Sequence, residues 1–376
     1  MNIDAVIIGG GIAGLWTLAA LRARGYSAVL LEKDALGGVQ TLASQGIIHG
    51  GTKYSLDGKF SAATQAISAM PARWYDALQG RGELDLREVK LLSAHQYLWT
   101  ANALGSKITG FFASKLMKSH MEKCSRETLP GFLPPDFRGH CYALNEPVVD
   151  ISGVLQSIAR QYGRWIASDC TWQRDGEHIH VHADGVRHTF TPQRLIFTAG
   201  AGNGELTACA QQLRPLHMAA LRVPTDAADI FGHHLGMSDK PKITVTTHKH
   251  GTHKVYYLGG LPAEEGVKRT QQAQIVAMRA ALLEVLPWFP RAWLDESAFY
   301  TFAIDRAESD NQGARPNEPV LMETGRDIIA WPTKLAFAPL LAQRIAAAMP
   351  PPRDNPDVAF ARPPRIGVYP WQEAAK

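Results

Sequence analysis

The run Ile3-Asp4-Ala5-Val6-Ile7-Ile8-Gly9-Gly10-Gly11-Ile12-Ala13-Gly14 decides the fold. Its first six residues form a short apolar stretch of the kind buried on both faces of a parallel sheet. Three glycines follow at once, then a helical pattern from Leu15 to Arg24, then a second apolar run, Ala28 to Leu31, that ends in Glu32. Strand, GxGxxG, helix, strand, acid is the order a dinucleotide-binding unit needs. A lone GxGxxG also suits a plain structural turn. Two strands, a helix and an acid in register are what such a turn lacks.

Each part has a physical task. Gly9 permits the tight turn, Gly11 lets the backbone approach a pyrophosphate, and Gly14 lets the helix pack close to the strand. Ile12 and Ala13 open the helix, whose N–H groups and positive dipole end suit phosphates. Glu32, 18 residues past Gly14, is placed to accept hydrogen bonds from both ribose hydroxyls, with Lys33 beside it. An acid there disfavours a 2′-phosphate, so NADP is not expected.

The rest of the 376-residue chain sets bounds. Hydrophobic residues make up 45% and charged residues 20%, which describes a folded protein with extensive cores. The net charge of +4 is small. It fits an anionic ligand, and no basic run with interleaved aromatics points to nucleic acid. Cys124, Cys141, Cys170 and Cys209 show no CxxC or metal-ligand spacing, so reduced thiols in a cytoplasmic protein and no metal site are expected. The apolar N-terminus carries Asp4 and the glycines and has no basic flank. It reads as strand and helix, not as a signal peptide or transmembrane segment.

Three further stretches carry a resemblance. Gly37-Gly38 is followed by Ser44-Gln45-Gly46-Ile47-Ile48-His49-Gly50-Gly51-Thr52-Lys53-Tyr54. Leu195 to Gly202 is another buried strand entering a Thr198-Ala199-Gly200 turn, and Pro147-Val148-Val149-Asp150 precedes a helix from Gly153 to Tyr162. Together with Trp331-Pro332-Thr333-Lys334 these resemble the D-amino-acid oxidase (DAO) superfamily of flavoenzymes, which includes glycine oxidase, sarcosine oxidase and the FAD-linked glycerol-3-phosphate and 2-hydroxyglutarate dehydrogenases. The resemblance implies FAD as cofactor and an α/β fold: a Rossmann-type FAD-binding domain interleaved with an α+β substrate domain built on a mixed or antiparallel sheet. The FAD-binding portions would be 1–75, 148–214 and 325–349, and the substrate domain 76–147 and 215–324. It also implies that Gln45 and Gly46 run past the flavin ring, that Thr198, Ala199 and Gly200 return near the adenosine part, and that Lys334 and Leu335 meet the flavin. The family commonly places a Gly-rich turn before its last helix. Here that stretch is Pro332-Thr333-Lys334-Leu335-Ala336, and proline has no N–H to offer the flavin.

Local patterns agree with interleaving. Gly176–Val181 and Val186–Phe190 read as a hairpin, and 243–248 and 254–259 as two strands around His250-Gly251. Leu104 to Lys123 reads as an amphipathic helix facing a core, with a membrane or partner surface as the alternative. The Pro-rich tail, 350–376, is expected to run extended across the surface.

One dinucleotide fingerprint is present, so electrons are expected from a small substrate, by hydride transfer from carbon to flavin N5, and to pass on to O2 or to a redox partner. Lys334, with the start of the helix Leu335–Ala348, is the candidate for stabilising negative charge at the reduced flavin. The alternative is a surface lysine at a helix start. Arg306 is the candidate anchor for a substrate carboxylate, a planar bidentate task that suits guanidinium; Asp305 or Glu308 would neutralise it in the structural reading. His49 reads as a flavin contact, an acid or base, a covalent attachment point, or a histidine satisfied within packed sheet. Tyr54 and Tyr257 are candidate substrate contacts, with only one of Tyr256 and Tyr257 able to face a pocket. His248, His250 and His253 read as solvated loop residues, and Arg315-Pro316 as a turn.

The first functional reading is an amine or amino-acid oxidase or dehydrogenase of the glycine-oxidase type, since a neutral amine needs no strong base. The second is a hydroxy-acid or glycerol-3-phosphate-type dehydrogenase with His49 as base, toward which Ile-Ile-His-Gly-Gly leans. The third is a flavin-binding scaffold or RNA-modifying partner without small-molecule turnover.

Overall fold

A computed structural model of the chain describes residues 1–51, 62–100, 121–236, 240–310 and 316–373. The nucleating unit is β1 (Asn2–Ile8), α1 (Ile12–Arg22) and β2 (Ala28–Leu31). β1 is buried on both faces, with Ala5 and Ile7 in the core that α1 covers and Val6 and Ile8 in a second core behind the sheet. That double burial is why its sequence is a continuous apolar run rather than an alternation. α1 packs on the helix Ala338–Ala347 as well as on the sheet, which explains why ten of its residues are buried and its own amphipathicity is weak.

The first sheet runs, in spatial order, Val320–Thr324, Asp327–Trp331, Val186–Phe197, β1, β2 and Ile166–Ala167. Its pairings are parallel except at the first strand. The antiparallel strands Thr171–Asp175 and His178–Ala183 extend it from Val186 onward. The second sheet is mixed. It runs Phe299–Ser309, Gln211–Val223, His253–Gly259, Pro241–His250, Gly232–Leu235, Gln96–Thr100, His140–Leu144 and Met121–Lys123, antiparallel save where Gly232–Leu235 meets Gln96–Thr100. A Rossmann-type sheet and a mixed sheet built from alternating chain segments are the expected fold class.

Some expectations need correction. Val320–Thr324, placed by the sequence boundary in the substrate domain, pairs with Asp327–Trp331 in the first sheet. Residues 211–214, placed with FAD binding, begin a long strand of the second sheet. Both strands pair with the neighbour that follows or faces them, across the boundary that the resemblance implied. Met121–Lys123 is strand rather than the end of a helix; the rest of that expected helix, Lys53, Tyr54 and Arg315 lie outside the described residues. His248 is buried within the strand Pro241–His250, not in a solvated loop. The tail is not only a surface run: Ile366 bridges Leu36, and Val358, Phe360, Tyr369 and Trp371 are buried.

Candidate active site

A cavity of about 1220 Å³ opens between the two sheets' elements, bounded by the β1–α1 turn, the Thr198 turn, the Trp331–Leu335 segment and one face of the second sheet. That exceeds the usual range for drug-sized ligands, roughly 300–1,000 Å³, and suits a long dinucleotide with a substrate beside it.

The nucleotide end is built by steric exclusion. Gly9 sits at φ +109°, and a Cβ there would lie 2.7 Å from Ala199 Cα. A Cβ on Gly14 would lie 2.1 Å from the Gly9 carbonyl oxygen and 2.6 Å from Thr198 Oγ1, so both glycines are dictated by packing of turn, helix and returning strand. Gly11 differs. Its φ is −75°, and a Cβ would meet only Thr41 Oγ1 at 3.3 Å. Packing does not require glycine there, whereas close approach of a ligand does, and Gly11, Ile12 and Ala13 line the cavity. Thr41 Oγ1 accepts the Ile12 N–H at 3.0 Å. Glu32 lines the cavity with its carboxylate fixed by the Gly10 N–H at 2.7 Å and the Asp34 N–H at 3.0 Å. Lys33, Thr198, Ala199 and Gly200 complete this end. Thr198 donates from Oγ1 to the carbonyls of Ile8 and Gly9, pinning the returning strand to the glycine turn. These features fit the pyrophosphate and ribose of FAD.

At the other end Gln45, Gly46, Lys334 and Leu335 line the cavity. The Gln45 amide donates to the Tyr257 carbonyl at 3.0 Å, fastening the segment to the second sheet. Gly46, at φ +69° with the Val149 carbonyl 2.4 Å from where a Cβ would be, admits no side chain. In the proline-bearing stretch Thr333 adopts a left-handed conformation, φ +59°. A β-branched residue in that region is strained by about 1–2 kcal/mol. Lys334 follows in extended conformation and Leu335–Phe337 form a 3₁₀ turn, so the α-helix proper starts only at Ala338. Lys334 therefore stands one short turn from the helix dipole with which it was expected to act.

His49 faces the cavity with a buried carboxylate behind it. Its Nδ1 lies 3.4 Å from Glu146 Oε2, with the histidine side chain 26% exposed and that of Glu146 4%. Gln96, also buried, donates from Nε2 to the same carboxylate oxygen. His233 lines the cavity too, stacked on His49 with ring centroids 5.6 Å apart. Chemically this is an imidazole oriented by a carboxylate, able to hold or accept a proton at its outward nitrogen.

Arg306 lines the cavity from the strand Phe299–Ser309, beside the apolar Leu216, Met218 and Ile304. Glu264 Oε1 stands 3.9 Å from its guanidinium, while the other oxygen of that carboxylate, Oε2, accepts from Lys240 Nζ. Glu308, one of its expected neutralising partners, instead pairs with Arg214 at 2.7 Å. Tyr257 is corrected: it is fully buried, its hydroxyl donates to the Ala43 carbonyl at 2.5 Å, and it is no part of the cavity wall. Burial raises its pKa. Glu146, Gln96, His233, Thr41 and the tail residues 365–368 are site residues that sequence reasoning missed. Among the described residues there is no cluster of three or more potential metal ligands and no helix long and apolar enough to cross a membrane.

The family model described as "FAD dependent oxidoreductase", DAO, matches residues 4–327. A probable FAD-dependent oxidoreductase of Pseudomonas aeruginosa, PA4991, is 40% identical over an alignment that covers 100% of this chain and 98% of that one. Its crystal structure superposes with a TM-score of 0.80, at 36% identity and with 100% and 99% of the two chains covered. Glycine oxidase from Geobacillus kaustophilus shares the fold at a TM-score of 0.65 and 13% identity, covering 92% and 94%. FAD-bound L-α-glycerophosphate oxidase from Mycoplasma pneumoniae does so at 0.65 and 14%, covering 99% and 100%. With its glycine cradle, acid and two-sheet architecture in place, the chain belongs to the DAO family of FAD-dependent oxidoreductases.

Proposed function

We propose that this flavoenzyme oxidises a small hydroxy acid, with His49 taking the hydroxyl proton and Arg306 holding the carboxylate. FAD supplies the two-electron acceptor when bound. The observation that carries the reading is Glu146 behind His49. Oxidising an alcohol carbon requires that the O–H proton leave, whereas a neutral amine gives up its electrons with no base. The Glu146 carboxylate, 3.4 Å from His49 Nδ1, orients the imidazole from behind. The glycine oxidase and L-α-glycerophosphate oxidase that share this fold span both chemistries, so likeness of fold does not choose between them. Lys334 serves the flavin's reduced state, and Leu216, Met218 and Ile304 form the apolar floor beside Arg306.

The test is anaerobic bleaching of the bound flavin by a panel of hydroxy acids, glycerol phosphate, amines and amino acids, followed by admission of air to separate O2 from a redox partner as acceptor. Hydroxy acids are expected to bleach it, and His49→Gln to slow that step by about 10²–10⁴-fold. Bleaching by amines or amino acids at a rate His49→Gln leaves unchanged overturns the reading in favour of the amine-oxidising alternative.

A further inference from the structure

The family match ends at residue 327, yet Arg365, Ile366, Gly367 and Val368 line the cavity. We infer that residues 353–373 are a strap that closes the ribose–pyrophosphate end of the site and retains FAD. The inference rests on FAD binding and is independent of the substrate.

The strap is fastened at both ends. At its start, buried Asp4 accepts from the Arg353 N–H at 3.2 Å and from Asn355 Nδ2 at 3.0 Å. Asp357 then pairs with Arg22 and Arg164, each at 3.0 Å, and accepts from Trp165 Nε1 at 2.9 Å. At its far end the Tyr369 hydroxyl donates to Asp150 at 2.8 Å. Tyr369 and Trp371 stack 4.5 Å apart against His248 of the second sheet. Fold stability is thus vested in Val358, Phe360, Tyr369 and Trp371, which are buried. The stretch between them runs along the cavity edge.

That middle stretch is coupled to the phosphate turn through backbone bonds. The Leu36 N–H donates to the Arg365 carbonyl at 2.8 Å, and the Gly367 N–H donates to the Leu36 carbonyl at 3.0 Å. The next residue, Gly37, donates its N–H to the Gly10 carbonyl at 2.9 Å, and the Gly10 N–H holds Glu32. Strap, loop, glycine turn and ribose-binding acid form one chain of bonds. Contact is close enough to need glycine: a Cβ on Gly367 would lie 2.9 Å from Gly38 Cα and 3.0 Å from Leu42 Cδ1. A side chain there lifts the strap from the loop while leaving both anchors intact.

Gly367→Val and the wild type, both stripped of FAD, are to be titrated with FAD by quenching of flavin fluorescence, with melting of the FAD-free proteins in parallel. Hydrogen–deuterium exchange over 365–368 is to be followed with and without FAD. The expected result is a rise of at least about tenfold in the Kd for FAD, with the FAD-free melting point within about 2 °C of wild type, and slower exchange over 365–368 in the holoprotein. A Kd within about threefold of wild type, or a melting point that falls in step with affinity, overturns the inference and leaves the segment as a brace. Should Gly367→Val fail to fold, the wild-type exchange decides: protection that does not depend on FAD overturns it.

Discussion

Gly11 and Gly14 are both glycines of one motif, yet they exclude a side chain for different reasons, and alanine at each should separate them. In Gly14→Ala the new methyl would lie 2.1 Å from the Gly9 carbonyl oxygen and 2.6 Å from Thr198 Oγ1. Ordinary contact is about 3.5 Å, so α1 or the glycine turn must move by more than about 1 Å. Neither obstacle is a flexible chain end: one is backbone, and the other bonds the Ile8 and Gly9 carbonyls. Overpacking costs about 1–3 kcal/mol and a lost buried hydrogen bond about 1 kcal/mol. The better helix propensity of alanine returns at most about 1 kcal/mol. The net loss is about 1–3 kcal/mol, or about 1–4 °C in the melting point of the FAD-free protein.

Gly11→Ala should do the reverse. With φ at −75° the backbone accepts alanine, and the single neighbour, Thr41 Oγ1 at 3.3 Å, has to yield only a few tenths of an ångström. FAD-free stability should stay within about 0.5 kcal/mol of wild type. FAD affinity should drop about 10–150-fold, the worth of one charge-assisted hydrogen bond of about 1.5–3 kcal/mol between turn and phosphate. The assay is differential scanning fluorimetry on FAD-free protein paired with flavin titration. Wild-type affinity in Gly11→Ala refutes the assignment of that glycine to ligand approach. A wild-type melting point in Gly14→Ala refutes the packing argument.

What the sequence reveals here is what local chemistry encodes. β1, α1, β2 and Glu32 are consecutive, so apolar runs, glycine spacing and an acid suffice to place them, and the residues named for the nucleotide end line the cavity, Gly14 excepted, which acts beneath it. Residues brought together from afar are less legible. Glu146 reaches His49 because its chain leaves the strand His140–Leu144 beside Gln96, a juxtaposition made by sheet pairing. Strand alternation correctly put Tyr256 and Tyr257 on opposite faces, but it could not say that both faces are closed: Tyr256 donates to the Ala228 carbonyl, Tyr257 to that of Ala43. Proline content suggested an extended tail and hid its role. The signal that was available is Val358, Phe360, Tyr369 and Trp371, four large apolar residues that a purely solvated tail has no reason to carry. At Thr333 a left-handed position is filled by a β-branched residue that sequence rules place elsewhere, so that turn was not legible from residue type.

Two further outcomes follow from burial. Tyr257→Phe should lower stability by about 1 kcal/mol through loss of the Ala43 hydrogen bond, with flavin bleaching kinetics unchanged; an altered bleaching rate at wild-type stability returns that phenol to the substrate. The second concerns acid. His248 is enclosed by Tyr257, Tyr369 and Trp371, and burial lowers its pKa from 6.5 to about 3. Between those values the unfolded chain binds a proton that the folded chain refuses, so stability is full above about pH 6.5 and is lost as pH falls toward 3. Each such group steepens the loss by up to about 1.4 kcal/mol per pH unit. His234, lowered to about 4 by burial and by Lys242, adds to the same slope. Ordinary carboxylates titrate near about pH 4, so the buried histidines act on stability between about pH 6.5 and 5, before those carboxylates do. In His248→Gln, the amide can keep a bond to Thr246, which now holds the ring at 3.1 Å, and no proton is refused. Urea unfolding at pH 7, 6 and 5 should then show the loss of stability reduced by about 0.7 kcal/mol between pH 7 and 6 and by about 1.2 kcal/mol between pH 6 and 5, and a loss equal to wild type means that His248 reaches solvent and protonates in the folded state.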